Sequence, residues 1–384
     1  MREQESAAPV EFPGRDETAA PAERSSRRAV TLVISGGLLA LALLVAMLVP
    51  LPYAVQRPGP TVDTLGEHDG EPLIHVDGAQ TYATSGALML TTVSVIGGPE
   101  YPVGAFDVLI GWLRSDQVVL PVEALFPDEA TREQLDERSS QQMASSQTNA
   151  TVSALEELGR EVPMVLTVTG TAQGSGARGV VENGDVITSI EVPGKERTRV
   201  QAFSELVEVL RRTEPGTTVS LGVTRDGEQV ELEVETSDPG HGSDQEGSVL
   251  GVFLEPDVEI PFEVDFDIDD IGGPSAGTMF ALGIIDRLTE GEMTGGEQIA
   301  GTGTMDLAGQ VGAIGGIEQK LVGARRDGAQ WFLAPEGNCS DVVGHVPDGL
   351  RVVSVDTLSE ARDAVQAIGA HEGDDLPTCA AEAS

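Results

Sequence analysis

The first clear pattern along the chain is an apolar run, AVTLVISGGLLALALLVAMLV, from Ala29 to Val49, without one charged residue. As a helix it would cross roughly 30 Å of hydrocarbon, so residues 29–49 are expected to form one transmembrane helix. Residues 1–28 are rich in Glu, Ala, Pro, Ser and Arg and carry too little apolar surface to fold, which predicts a disordered tail. Beyond Pro50 the apolar residues come in shorter groups. Ala87 to Val95 (ALMLTTVSV) has the β-branched content of a strand. Ala130 to Leu158 has helical spacing in two pieces, the second being NATVSALEELG, with Gly159 as its stop.

Residues 161–236 change rhythm again. MVLTVTG predicts a strand, GSGARG a loop, and NGDVITSIEV a turn and strand. VQAFSELVEVLRRTEPG predicts an amphipathic helix with Phe203, Leu206, Val207 and Leu210 on one face. TTVSLGVTRDGEQVELEVE predicts a hairpin turned at Asp226-Gly227. Ser237 to Ser248 is a polar, glycine-rich linker. Residues 249–370 mix short strands, glycine turns and helices, and residues 371–384 form a polar tail. The fold class expected is α+β, with residues 50–160 an α/β segment of their own or part of the last domain.

Charge narrows the functions. With 63 acidic against 23 basic residues, the formal net charge is -40, which repels a phosphate backbone and disfavours nucleic-acid binding. Arg24, Arg27 and Arg28 precede the apolar run and only Arg57 follows it closely, so the N-terminus should face the cytoplasm and everything after Pro50 the outside. Pro52-Tyr53-Ala54 is a poor cleavage site, which favours a retained anchor over a signal peptide. No H-E-x-x-H, C-x-x-C or G-x-x-x-x-G-K-[ST] occurs, so neither a metal, a cofactor nor ATP is expected.

Candidate chemistry lies in two segments. In FEVDFDIDDIGGPSAGTMFALGIID, Ser275 falls between a glycine turn and a helix over Ala276 to Leu288. Free N–H groups at a helix start favour developing negative charge, as an acyl-transfer nucleophile needs. A serine there is also a common helix cap, so this segment alone leaves both readings open. In AIGGIEQKLVGARRDG, Ile317, Leu321 and Ala324 form an apolar stripe, and Lys320 lies at its edge. A lysine serves as general base only if its pKa falls toward neutrality, which burial achieves. His345, in SDVVGHVPDG, is the best candidate for a rival triad but has no partner motif.

Residues 161–236 resemble a PDZ domain of the kind fused to bacterial proteases, through GSGARGVVENGDVITSIEV and LRRTEPGTTVSLGVTRDG. The resemblance implies a groove that takes an extended peptide as an added strand. The carboxylate-binding loop of such a domain should lie near Val162 to Leu166, where no glycine-rich signature occurs. Residues 249–370 resemble the proteolytic domain of Lon proteases: GGPSAG matches its serine motif and AIGGIEQKLVGARRDGAQWFLAPEGN its lysine motif. The resemblance implies Ser275 as nucleophile and Lys320 as general base, supported by Thr302 in TGT and by Gly273. Many Lon serine motifs carry an acidic residue three positions before the serine. Here Gly272 stands there, with Asp270 nearby.

The whole arrangement looks closer still to the membrane-anchored, PDZ-containing Lon-like proteases of Gram-positive bacteria. That implies a single-pass protein of the bacterial cell membrane, acting on peptide or protein substrates outside it without ATP. It also implies a homo-oligomeric ring. GALMLTTVSV and MASSQTNATVSALEELG weakly resemble the opening strand and helix of the Lon proteolytic domain, which would make the PDZ domain an insertion. A non-catalytic PDZ scaffold and a Ser-Lys amidase remain the alternatives. Cys339 and Cys379 are the two cysteines, and an outside location predicts a disulfide between them that tethers a polar tail unable to dock by itself.

Overall fold

A computed structural model describes residues 29–41, 50–68, 70–99, 101–126, 131–160, 162–239, 247–268 and 271–379. The first block holds α1 (residues 29–41), β1 (Pro50–Leu51), β2 (Tyr53–Asp63), β3 (Glu67–His68), β4 (Glu71–Pro72), β5 (Ile74–Asp77) and β6 (Ala87–Ile96). β7 (Val103–Gly104), α2 (Ala105–Leu113), β8 (Val118–Pro121), α3 (Val122–Leu125) and α4 (Arg132–Glu157) complete it. The middle block holds β9 (Met164–Thr171), β10 (Val186–Glu191), β11 (Thr198–Arg199), α5 (Phe203–Arg211), β12 (Thr218–Arg225), β13 (Glu228–Glu235) and β14 (Val252–Val258). The last block holds β15 (Glu263–Phe266), α6 (Gly277–Leu288), β16 (Gln298–Gly301), β17 (Thr304–Met305), β18 (Val311–Gly312) and α7 (Ile317–Arg326). It ends with β19 (Trp331–Pro335), α8 (Cys339–Val342), β20 (Arg351–Val355) and α9 (Leu358–Gly369). Among the described residues no helix is long and apolar enough to cross a membrane. The expected span from Ala29 to Val49 lies only in part within them: residues 29–41 are helical, and 42–49, like the tail 1–28, fall outside.

The larger sheet has the order β20-β19-β16-β6-β2-β8, parallel from β20 to β6 and antiparallel beyond. Both faces are covered at β16, β19 and the first half of β6, which read as apolar runs, whereas β2 and β8 are only partly buried. Along β6, Leu88 and Leu90 pack toward α4, α6 and α9, while Ala87 and Met89 pack toward α7. β19 repeats the alternation, with Trp331 and Leu333 on one side and Phe332 and Ala334 on the other. β2 and β6 precede the middle block and β16, β19 and β20 follow it, so the two flanks of that block share one sheet.

The middle block is an antiparallel sheet of order β13-β12-β10-β9-β14, with β11 beside β10. Here the structure moves a boundary. β14 lies beyond the linker, within 249–370, yet pairs with β9 along Met164 to Thr171. β9 is therefore flanked on both sides and offers no free edge near Val162 to Leu166. The edge strand on that side, opposite β13, is β14, preceded by Leu250-Gly251, whose turn is tied to the end of α5 by Ser248 N–H donating to Leu210 O at 3.1 Å. An added strand needs an unpaired edge, which on this side of the sheet β14 offers and β9 does not.

Two further expectations change. The two helical pieces expected between 130 and 158 are one: α4 runs unbroken from Arg132 to Glu157, and residue 130 lies outside the described residues. Thr131 and Gln134 cap its start reciprocally, and Gly159, at φ 71°, ends it with Arg160 N–H donating to Leu155 O. The C-terminal tail docks through more than its cysteine. Ser354 N–H donates to Pro377 O at 2.9 Å, and Arg351 pairs with Asp374 while stacking on Trp331. α8, β20 and α9 all lie between Cys339 and Cys379, so the loop that the pair closes contains much of the last block.

Candidate active site

Ser275 sits on the turn that enters α6. Gly273 makes the turn at φ 88°, a backbone conformation that a side chain would strain, and its N–H donates to Ser139 O of α4 at 3.1 Å. α4 holds the next residue as well: Ser146 Oγ donates to Pro274 O at 3.0 Å. Two more polar groups of α4 reach the strand that follows Thr302. Asn149 Nδ2 donates to Met305 O at 2.9 Å and Ser153 Oγ to Asp306 O at 2.6 Å. Ser146, Asn149 and Ser153 recur at three- and four-residue spacing, which places them on one face of the helix. Their role was missed in the sequence because serine and asparagine on a helix read as a solvated face.

Lys320 enters from the other side. Gly316, at φ 69°, starts α7, and Lys320 N–H closes the first turn on Gly316 O at 3.1 Å. The preceding loop is pinned by Asn338, which accepts from Ile314 N–H at 2.8 Å and donates to Ile314 O at 2.9 Å. Asn338 carries no sequence signal of its own, because the loop that it pins is 24 residues away. The lysine side chain is 2% exposed. Its Nζ lies 2.8 Å from Ser275 Oγ and 2.7 Å from Thr302 Oγ1. Burial pulls its pKa down to about 7.

Thr302 fixes how these three groups use their protons. Its hydroxyl donates to Ser275 O at 2.9 Å, and a hydroxyl has one proton, so toward Lys320 it can only accept. The neutral amine thus donates one N–H to Thr302, and its lone pair is free to face Ser275 Oγ. Among the described residues Lys320 has no carboxylate partner. Asp270 lies outside them. His345 is not part of this arrangement: its ring meets Asp341 O at 3.0 Å and Glu318 at 3.6 Å, and no hydrogen bond joins it to Ser275.

The amides available to an oxyanion are fewer than a helix start suggests. Thr278 N–H donates to Gly303 O at 3.2 Å, Gly273 N–H is taken by Ser139, and Pro274 has none. Among the described residues, those of Ser275, Ala276 and Gly277 are left at this turn. Beside it lies a depression of about 370 Å³ lined by Gln142, Ser145, Ser146, Asn149 and Pro274. A larger cleft, about 980 Å³, includes neither Ser275 nor Lys320 and separates Phe203 and Val207 of α5 from Val311 and Gly312 of β18. Cys339 and Cys379 are joined by a disulfide, with their Cα atoms 4.9 Å apart.

Residues 269–367 match the family described as the Lon protease (S16) C-terminal proteolytic domain, and residues 150–236 match the PDZ domain. A Lon protease of Mesomycoplasma hyopneumoniae is 37% identical over 94 residues, covering 24% of this chain and 11% of that protein. An archaeal Lon protease of Methanocaldococcus jannaschii is 34% identical over 102 residues, covering 27% of this chain and 15% of that protein. This chain therefore spans only a small part of the length of those relatives. The PDZ domain of an SdrC-like protein from Listeria monocytogenes is 17% identical at a TM-score of 0.20, covering 23% of this chain and 85% of that one. The chain thus carries a PDZ domain and a Lon-type proteolytic domain, which together suggest a serine peptidase.

Proposed function

We propose that this chain is an ATP-independent serine endopeptidase of the bacterial cell membrane, held by a helix over 29–49, with its catalytic part outside. Ser275 is the nucleophile and Lys320 the general base. The observation that carries the reading is a lysine Nζ that is buried, lacks a described countercharge and lies 2.8 Å from the serine hydroxyl. The neutral amine takes the Ser275 proton as Oγ attacks a peptide carbonyl. The ammonium then returns that proton to the leaving amine, and the acyl-enzyme remains. Water, deprotonated by the same lysine, releases the acid and restores the serine. Thr302 keeps the amine aimed, and the turn amides receive the oxyanion. The PDZ unit holds an extended peptide segment at the β14 edge. Peptide or protein segments are the substrates, and assembly into a homo-oligomeric ring belongs to the same proposal.

Ser275→Ala and Lys320→Ala should each lower peptide hydrolysis by roughly 10³-fold or more, and the double variant should be no worse than either. Residual activity of Lys320→Ala near the native level at pH 8 would remove the dyad. kcat/KM should rise as pH passes upward through about 7, because the base works only when deprotonated. Added ATP should change nothing. Protease added outside wall-stripped cells should remove the catalytic part, and full protection would invert the topology.

A further inference from the structure

α2 covers the sheet with its less apolar side. Val108 and Gly111 are its buried residues, and a Cβ added at Gly111 would lie 2.6 Å from Val119 Cγ2. On the opposite side Phe106, Leu109, Trp112 and Leu113 are 53, 51, 65 and 73% exposed. At about 100° per residue these four share one arc of roughly 120°. Tyr101 is exposed just before the helix, and the Tyr53 ring meets Trp112 edge-on at 6.2 Å. The charged residue in α2, Asp107, accepts from Gly104 N–H and so serves the helix start. A soluble surface seldom shows so contiguous an apolar patch without a partner.

The position of the patch identifies the partner. β1 pairs with β7, Pro50 opposite Gly104 and Leu51 opposite Val103, and α2 begins at the next residue, Ala105. Pro50 is also the first residue after the uncharged run Ala29 to Val49. We propose that α2 is a membrane-surface helix, which lays Phe106, Leu109, Trp112 and Leu113 into the headgroup–acyl boundary of the bilayer from which the chain emerges. The inference rests on the reading of 29–49 as an anchor. Trp and Tyr favour that depth, where an apolar ring and a polar edge are both accommodated. A net charge of -40 is repelled by anionic lipid, so the attachment is apolar and, on neutral lipid, indifferent to salt. The anchor keeps the helix beside the membrane, so weak insertion is enough.

The chain contains two tryptophans, and the other, Trp331, is buried beneath the Arg351 guanidinium. The full chain is reconstituted in phosphatidylcholine vesicles, and its emission is read against lipids brominated at stepped depths along the acyl chain. Quenching by the shallow bromines, lost in Trp112→Phe and unchanged by salt, is the expected result. In Leu109→Ser/Leu113→Ser the quenching should fall several-fold and aqueous iodide should reach Trp112 instead. Vesicle-bound native chain whose Trp112 is quenched by iodide and not by bromolipid overturns the proposal and leaves the anchor standing. A chain that does not float with the vesicles overturns both. A Trp112 shielded from both quenchers, with cross-links between copies at Leu113, assigns the face to a second copy and overturns the membrane reading.

Discussion

The middle block and the last block each bury a charged side chain, and they treat it in opposite ways. Asp185, 0% exposed, accepts from Arg225 Nε and Nη2 at 2.7 Å each and from Glu182 N–H at 2.9 Å. The guanidinium beside it holds its carboxyl below the usual range. Lys320 is as deeply buried but meets only two hydroxyls. A buried charge that serves the fold is paired, because an unpaired one costs several kcal/mol. The lysine accepts that cost, and its lowered pKa is the return. The middle block pairs its buried charge, whereas the last block leaves its own without a described countercharge.

The contrast can be broken most strongly at Lys320. In the unfolded chain this group is protonated up to about 10.5, in the folded one only up to about 7. Its penalty on folding is therefore full below about 7 and fades as pH rises to about 10.5. Lys320→Met should abolish activity yet stabilise the protein at pH 6, by at most about 5 kcal/mol, and by nothing near pH 10.5. Denaturant midpoints at the two pH values decide this. Equal midpoints for variant and native at pH 6 would mean that the charge has a partner.

Asp185→Asn tests the other side of the comparison. It should lower stability by about 2 kcal/mol, because Arg225 loses its charged acceptor and a buried amide takes its place. Activity on a short peptide should stay near native, because Asp185 touches nothing of the Ser275 turn. A loss of activity without a loss of stability would tie the two blocks together in a way that Asp185 does not show. The smallest effect should come from Ser146→Ala, which releases Pro274 O from α4. A roughly tenfold fall in kcat with KM unchanged, and restored by Ser146→Thr, is expected for about 1.4 kcal/mol of lost positioning. An equal fall in thermal stability and no change in kcat would make Ser146 purely structural.

Local signals were readable where the chemistry is local. Gly273 before Ser275, Gly315-Gly316 before α7, and the stripe Ile317, Leu321, Ala324 beside Lys320 are all neighbours in sequence. Their spacing limits what the backbone can do. What the sequence hid is non-local. β14 looks like the opening of the last block because nothing in VFLEPDV names β9, across the linker, as its partner. α4 looked broken because Gln141 to Gln147 is nearly all polar, and its Ser146 and Asn149 look solvated until Pro274 and Met305 arrive from beyond the middle block. The tail looks too polar to dock because many of its contacts run through backbone groups and one arginine, while Leu376 and Cys379, which pack against the core, are isolated among polar residues in sequence.

The sharing of one sheet by two distant stretches also sets a timetable for synthesis. β6 is central in that sheet, yet β16, its neighbour, is about 200 residues downstream. At roughly 5–20 residues per second a ribosome needs on the order of 10–40 s to make that interval. Through it, Leu88 to Leu90 present an open apolar strand edge, the kind that recruits chaperones or other chains. The PDZ unit from β9 to β13 can close first from neighbouring strands, its own edge β14 arriving last, while the catalytic half waits. No truncated product ending before β16 can place Ser275, because Thr302 and Lys320 do not yet exist and α4 has nothing to grip. Interrupted translation of this chain therefore yields fragments in which Ser275, Thr302 and Lys320 never meet.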